Sequence, residues 1–152
     1  MIVKCSQHDQ SRVLDYLEER FGIERLIFKD FSFYGASKGR IFLGPKTLID
    51  KPKPVTAGIL IARISRSIKP TTNFFQLFGK HIKKNSVKLT RENITRFIRG
   101  ENLELSADKI RNASRGYVLV TYKDFPIGCS LLKGNQIKNM IPKPKQLNLE
   151  FL

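Results

Sequence analysis

The side chains able to carry out chemistry in this sequence are few and scattered. There are two cysteines, Cys5 and Cys129, and two histidines, His8 and His81. No Cys-x-x-Cys or Cys/His spacing surrounds them, so no zinc ligand pattern is expected, and the two histidines lie far apart in sequence without a neighbouring ligand signature. Cys129, next to Gly128 in an apolar stretch, reads as a small buried hydrophobe. His81, in the basic run Lys80–Asn85, reads as a surface residue. The carboxylates Asp15, Glu18, Glu19 and Glu24 fall on or beside one helical segment and suit a solvated face. Gly35 with Gly39, and Gly128 with Gly134, fit turns and bends; no Gly-x-Gly-x-x-Gly and no phosphate loop ending in Gly-Lys-Ser/Thr is found. The expectation is a protein that is not an enzyme, with no cofactor and no metal.

Positive charge is what the sequence has in excess. Lys and Arg number 28 against 13 Asp and Glu, a net +15 over 152 residues, and the sequence pI is about 10.1. Residues 1–50 contribute +1, residues 101–152 contribute +3, and residues 51–100 contribute +11 from twelve basic side chains and one acidic. Such a surplus suits a polyanion, because cations that meet phosphates release condensed counterions. A solvated basic surface is the plainer reading, and small acidic ligands do not require this much charge. By charge density Arg63, Arg66, Lys69, Lys80, Lys83 and Lys84 are candidate phosphate contacts that position a nucleic acid without reading its sequence.

At 41% hydrophobic residues, including eleven Phe, the chain can bury a core. No signal-peptide core is present at the N-terminus, and the aliphatic run Gly58–Ala62 is far too short to span a bilayer. A helix is expected from about Asp9 to Arg20, with Val13, Leu14, Leu17 and Phe21 on one face and Gly22 as its stop. Strands are expected at Phe28–Tyr34 and Arg40–Leu43 around a Gly35–Gly39 turn, then a helical turn opened by Pro45, an extended linker at Asp50–Pro54, and a strand at Ile59–Ile64. Thr71, Thr72 or Asn73 caps a short helix, Phe74–Phe78, ended by Gly79; Thr90 caps another, with Ile94, Phe97 and Ile98 apolar and Gly100 at its end. Short strands follow at Val87–Leu89, Leu103–Leu105, Gly116–Tyr122, Ile127–Leu132 and Gln136–Lys138, separated by turns at Lys123–Pro126 and Lys133–Asn135. That density of short strands argues for a small barrel or curled sheet.

Several of these segments are distinctive in their order. Phe97-Ile-Arg-Gly-Glu101, Gly116-Tyr-Val-Leu-Val120, Asp124-Phe-Pro-Ile-Gly128, Lys133-Gly134 and Gln136-Ile-Lys-Asn139 with Pro142 resemble the C-terminal PUA-like RNA-binding region of Nop/Sun-type RNA cytosine-5 methyltransferases. Tyr16–Ile23, Phe31–Tyr34 and Lys69–Thr72 resemble the segment that precedes it in archaeal members. The resemblance departs from the family in lacking an S-adenosylmethionine-binding unit and a Pro-Cys or Thr-Cys motif, since Cys5 follows Lys4 and Cys129 follows Gly128. Met140-Ile141 and Pro142–Lys145 also differ from the family's usual ending. What the resemblance implies is an RNA-contacting barrel edge at Arg96, Arg99, Arg115, Lys133, Lys138 and Asn139. Lys and Arg would hold phosphates there, and Asn139 would meet a base edge or its own turn.

The expected fold is therefore α+β: a small mixed N-terminal part at residues 1–85, then a PUA-like β-barrel at residues 86–152. The expected protein is cytoplasmic, does not enter membranes, and binds structured rRNA or tRNA during RNA modification or ribosome maturation. Two further readings stand beside it. One is an accessory that supplies RNA affinity to a separate RNA methyltransferase or a pre-ribosomal particle; the other is a cryptic RNA-modifying enzyme.

Overall fold

The computed structural model describes residues 2–47 and 58–146, so the linker expected at Asp50–Pro54 lies outside the described residues. The described residues form an α+β fold with two five-stranded sheets. The first sheet is an antiparallel meander of β1 (Val3–Lys4), β2 (Phe31–Ala36), β3 (Arg40–Pro45), β4 (Ile59–Ile64) and β5 (Ile68–Pro70), in that order. The second runs β6 (Ser86–Lys88), β8 (Gly116–Tyr122), β9 (Phe125–Lys133), β10 (Gln136–Asn139) and β7 (Leu103–Glu104), all antiparallel except the parallel β6–β8 pair. This curled second sheet occupies the residues where a PUA-like barrel is expected.

Helix α1 (Gln7–Phe21) starts where Ser6 accepts from the Asp9 N–H at 3.1 Å and ends at Gly22 in the left-handed region, φ 67°. Val13, Leu17 and Phe21 recur at helical spacing and bury completely against the first sheet. Helix α2 (Thr72–Phe78) is capped by Thr71, whose hydroxyl accepts from the Phe74 N–H at 3.1 Å and donates to the Leu60 carbonyl at 2.7 Å. Helix α3 (Arg91–Ile98) is capped by Thr90 through the Asn93 N–H.

Some expectations fail for local reasons. Residues 25–28 form a 3-10 turn, so β2 begins only at Phe31. Pro45 ends β3, and the helical turn expected after it falls largely outside the described residues. Phe125 and Pro126 belong to β9, because Lys123 (φ 47°) and Asp124 (φ 66°) both turn left-handed and complete the reversal in two residues. Gly79 is not a left-handed stop: its φ is −57°, and a Cβ there would lie 2.4 Å from Pro126 Cβ. It is glycine because the chain after α2 runs directly against β9.

The core explains how the two sheets are joined. Phe33, Ile41, Leu43, Ile61 and Ala62 of the first sheet pack with α1, Phe74 and Phe75 of α2, and Leu119 and Cys129 from the second sheet. Phe21 and Phe75 meet edge to face at 5.2 Å. On the other side of the second sheet, Val118, Val120, Leu132 and Ile137 pack with Ile94 and Phe97 of α3. β8 thus alternates between two cores, with Val118, Leu119 and Val120 all buried. Its unbroken aliphatic run is the signature of a strand covered on both faces.

A shift of register between Ile41 and Phe42, where β3 meets β4, lets Ile61 and Ala62 both join the inner core. Leu60 is left to pack with Tyr34 and Phe42 in a separate small cluster, and Arg63 is exposed.

Candidate nucleic-acid interface

β6 pairs with β8 alone among the described residues, so its second edge has no strand partner there. The loop that leads into it is fastened from below. Lys83 N–H donates to the Phe21 carbonyl at 2.8 Å, and Leu119 N–H donates to the Asn85 carbonyl at 3.0 Å. Asn85, at φ 57°, donates from its side-chain amide to the Arg20 carbonyl and accepts from the Ser114 N–H at 2.9 Å. With the backbone tied down in this way, the lysines of the loop are left exposed.

They border a cleft of about 720 Å³ in which Lys83, Lys84, Lys88 and Lys109 face Asn85 and Asn112, with Asp108 as the one lining carboxylate. Hydrogen bonding from Ser106 holds the Asp108 carboxyl below its ordinary range, so it stays ionised. Four cations against one anion leave the cleft strongly positive. Lys83 reaches Glu24 at 3.0 Å and Lys88 reaches Asp124 at 3.5 Å, but all four side chains are well exposed. Such pairs contribute little and yield readily to a phosphate. Lys80 and His81, both exposed, line a smaller hollow of about 190 Å³ with Lys83 on the same side of the loop.

Other candidates fall elsewhere. Arg63 and Lys69 are directly opposite one another on β4 and β5, with Arg66 exposed in the connecting turn. Arg40 of β3 stands opposite Arg63 on its other side, making a cross-strand row of three cations. Arg115 and Lys133 come to the same end of the second sheet, since their neighbours Gly116 and Leu132 are partners in register. Arg99 is exposed at the end of α3, Lys138 is exposed on β10, and Arg96 pairs with Glu101 at 3.3 Å.

Asn139 has a different geometry. Its amide nitrogen donates to the carbonyls of Phe97 (2.6 Å) and Glu101 (3.1 Å), and its oxygen accepts from the Ile141 N–H at 2.9 Å. Both donors of that side chain are spent on tying the end of α3 to β10, and one of its two acceptor positions on the Ile141 N–H. Only the Ile141 bond belongs to its own turn; the other two reach back to Phe97 and Glu101.

Three cations were not singled out by the sequence. Lys88 alternates outward from a buried Val87 and Leu89, a signal available in the strand pattern. Lys109 sits on a 3-10 turn, Ala107–Ile110, that no periodicity marks. Arg40 is defined by its cross-strand partner, which only the register reveals. Among the described residues no group of three His, Cys, Asp or Glu converges as a metal site, and no helix is long and apolar enough to cross a membrane. Cys129 is buried, its thiol pushed far up by desolvation, and its sulfur lies 3.8 Å from the Pro70 carbonyl.

Residues 84–144 match the family described as the methyltransferase RsmF PUA domain. The match begins in the lysine loop, takes in β6 to β10 with α3, and so identifies the second sheet as a PUA-like region of the Nop/Sun-type methyltransferase kind. No curated protein matches the chain.

Proposed function

We propose that this protein is a non-catalytic RNA-binding protein that acts on structured rRNA or tRNA during RNA modification or ribosome maturation, with the lysine cleft along β6 as its principal phosphate-binding surface. The observation that carries the reading is a coincidence of place. The PUA-like region is of a type that binds RNA, and three of the four lysines of the cleft fall inside its matched residues. A cleft of this size, lined by lysines and amides, suits a sugar–phosphate backbone, which needs point charges and neutral donors more than shaped pockets. The methyltransferase context of the matched family favours a second reading, in which the protein lends RNA affinity to a separate methyltransferase.

The test is sequencing of RNA crosslinked to the protein in its native cells, comparing wild type with Lys84→Glu/Lys88→Glu. Enrichment of one rRNA or tRNA element that disappears in the double variant is the expected result. Crosslinks spread in proportion to RNA abundance and unchanged by the substitutions would overturn it. Co-purification of a methyltransferase with the wild-type protein would establish the second reading.

A further inference from the structure

The cross-strand row Arg40–Arg63–Lys69 belongs to none of the groups that make up the lysine cleft. Like charges placed directly opposite one another on adjacent strands are destabilising. None of the three has a carboxylate within 4 Å among the described residues; Arg40 instead donates to the Ser37 carbonyl at 3.1 Å and lies over the Phe42 ring at 5.7 Å. Among the described residues this row of three cations has no charge partner of its own.

Two of them border a groove of about 240 Å³ between the β4–β5 edge of the first sheet and the second sheet. One wall carries Arg63, Lys69 and Asn73. The other carries Tyr117 of β8, with Met140 and Pro142 from the segment after β10. Both walls are fixed. Arg20 Nε donates to the Tyr117 carbonyl at 2.9 Å, the Met140 N–H donates to the Cys129 carbonyl at 3.0 Å, and the Thr71 N–H donates to the Ile61 carbonyl at 3.0 Å. Asn73 makes no side-chain hydrogen bond among the described residues, and Met140 is 36% exposed although it is apolar.

We propose that this groove holds one unpaired nucleotide of the bound RNA, its phosphate on Arg63 and Lys69 and its base against Tyr117 and Met140. A cation pair facing an aromatic ring and a polarisable thioether is the composition that single-stranded nucleic acid uses, with charges for the backbone and flat or soft side chains for the base. The groove is smaller than the roughly 300–1,000 Å³ of sites for drug-sized ligands, and so suits a single base. A paired base is stacked within its helix and cannot enter. Asn73 supplies both a donor and an acceptor to meet the exposed base edge. The proposal rests on the RNA-binding reading above and specifies which RNA feature is taken: a flipped-out or single-stranded position beside a duplex held elsewhere.

The deciding experiment is fluorescence polarisation with a labelled, mixed-sequence single-stranded RNA of about 12 nucleotides and an RNA duplex of the same length. Wild type is compared with Arg63→Glu/Lys69→Glu and with Asn73→Ala. A single strand carrying 4-thiouridine is then photo-crosslinked to the wild type and the linked peptides are identified. The double variant is expected to lose about tenfold in single-strand affinity and about threefold or less for the duplex, Asn73→Ala to weaken the single strand alone, and crosslinks to fall on the peptides that contain Tyr117 or Met140. Equal losses for both RNAs, or crosslinks confined to residues 83–109, would overturn the groove assignment while leaving RNA binding intact. Should the double variant fail to fold, Asn73→Ala and the wild-type crosslinks decide. If the wild type binds neither RNA, the RNA-binding reading itself falls.

Discussion

Arg63 and Lys69 face each other across the β4–β5 ladder as directly opposed partners in antiparallel register. Two exposed cations at that separation cost stability, so exchanging one for an anion relieves repulsion and creates a cross-strand ion pair. Lys69→Glu is therefore expected to raise stability by about 0.2–1 kcal/mol in urea denaturation, while single-strand RNA affinity falls. Movement of the two quantities in opposite directions marks a residue kept for binding at the expense of the fold. A fall in both would mean that Lys69 supports the strand.

Arg20 is a cation whose role is the reverse. From the last turn of α1 it donates through Nε to the Tyr117 carbonyl (2.9 Å), and through its two terminal nitrogens to the Ser114 hydroxyl and carbonyl (both 2.7 Å). Burial depresses its pKa, as expected for a guanidinium enclosed without a carboxylate. Its planar fork spans three acceptors at once, which one ammonium cannot reproduce. Arg20→Ala and Arg20→Lys are both expected to lose about 2–3 kcal/mol in urea denaturation. Affinity of the folded protein for an RNA duplex should be nearly unchanged, because Arg20 lies away from the lysine cleft, while single-strand affinity falls as the Tyr117 wall loses its tie. Full recovery of stability by lysine would reject the geometric argument.

Much of this architecture was legible because short-range rules decide it. A cap within Thr71–Asn73, which the structure places at Thr71, the Thr90 cap, the αL glycine at Gly22 and the helical spacing of Val13, Leu17 and Phe21 each act within a few residues. β1 and β5 were missed since strands of two and three residues carry too little alternation to stand out, and β5 is identified only by its pairing with β4. The Val118–Val120 run announced a strand but could not say that its two faces enter different cores. At the site, charge density picked out Lys83, Lys84, Arg63 and Lys69. It could not show that the first two join Lys88 and Lys109 around one cleft while the last two face Tyr117 across another, because those pairings depend on the chain returning from far along the sequence.

The lysine cleft should behave as a set of phosphate contacts and not as a reader of bases. Each cation removed from it lowers the slope of log affinity against log salt by about 0.7–0.9. Lys84→Ala/Lys88→Ala/Lys109→Ala should thus flatten that slope by about 2–3, with similar losses for RNAs of unrelated sequence. Titrations at four or five salt concentrations measure it. An unchanged slope would move the phosphate contacts off this cleft.

Two acidic protons whose release burial opposes, on Cys129 and Tyr16, set how the fold responds to alkali. Desolvation raises the Cys129 thiol well above its ordinary 9.0, and burial raises the Tyr16 phenol above its ordinary 10.0 against the opposing pull of Arg20. In both cases the folded chain keeps a proton that the unfolded chain releases, so stability is fully present below the unfolded pKa and declines as pH climbs past it. The decline begins near pH 9 with Cys129, at a slope approaching about 1.4 kcal/mol per pH unit, and steepens near pH 10 as Tyr16 joins. Cys5, half-buried and raised by desolvation and by Asp9, adds a weaker contribution in the same direction. Cys129→Ala removes the largest share: it should be modestly less stable than wild type at pH 7, through the lost sulfur packing, yet converge on it by pH 10. Urea denaturation of both proteins from pH 7 to pH 10.5 tests this. Parallel curves across that range would show that the Cys129 thiol is not the group whose proton the fold retains.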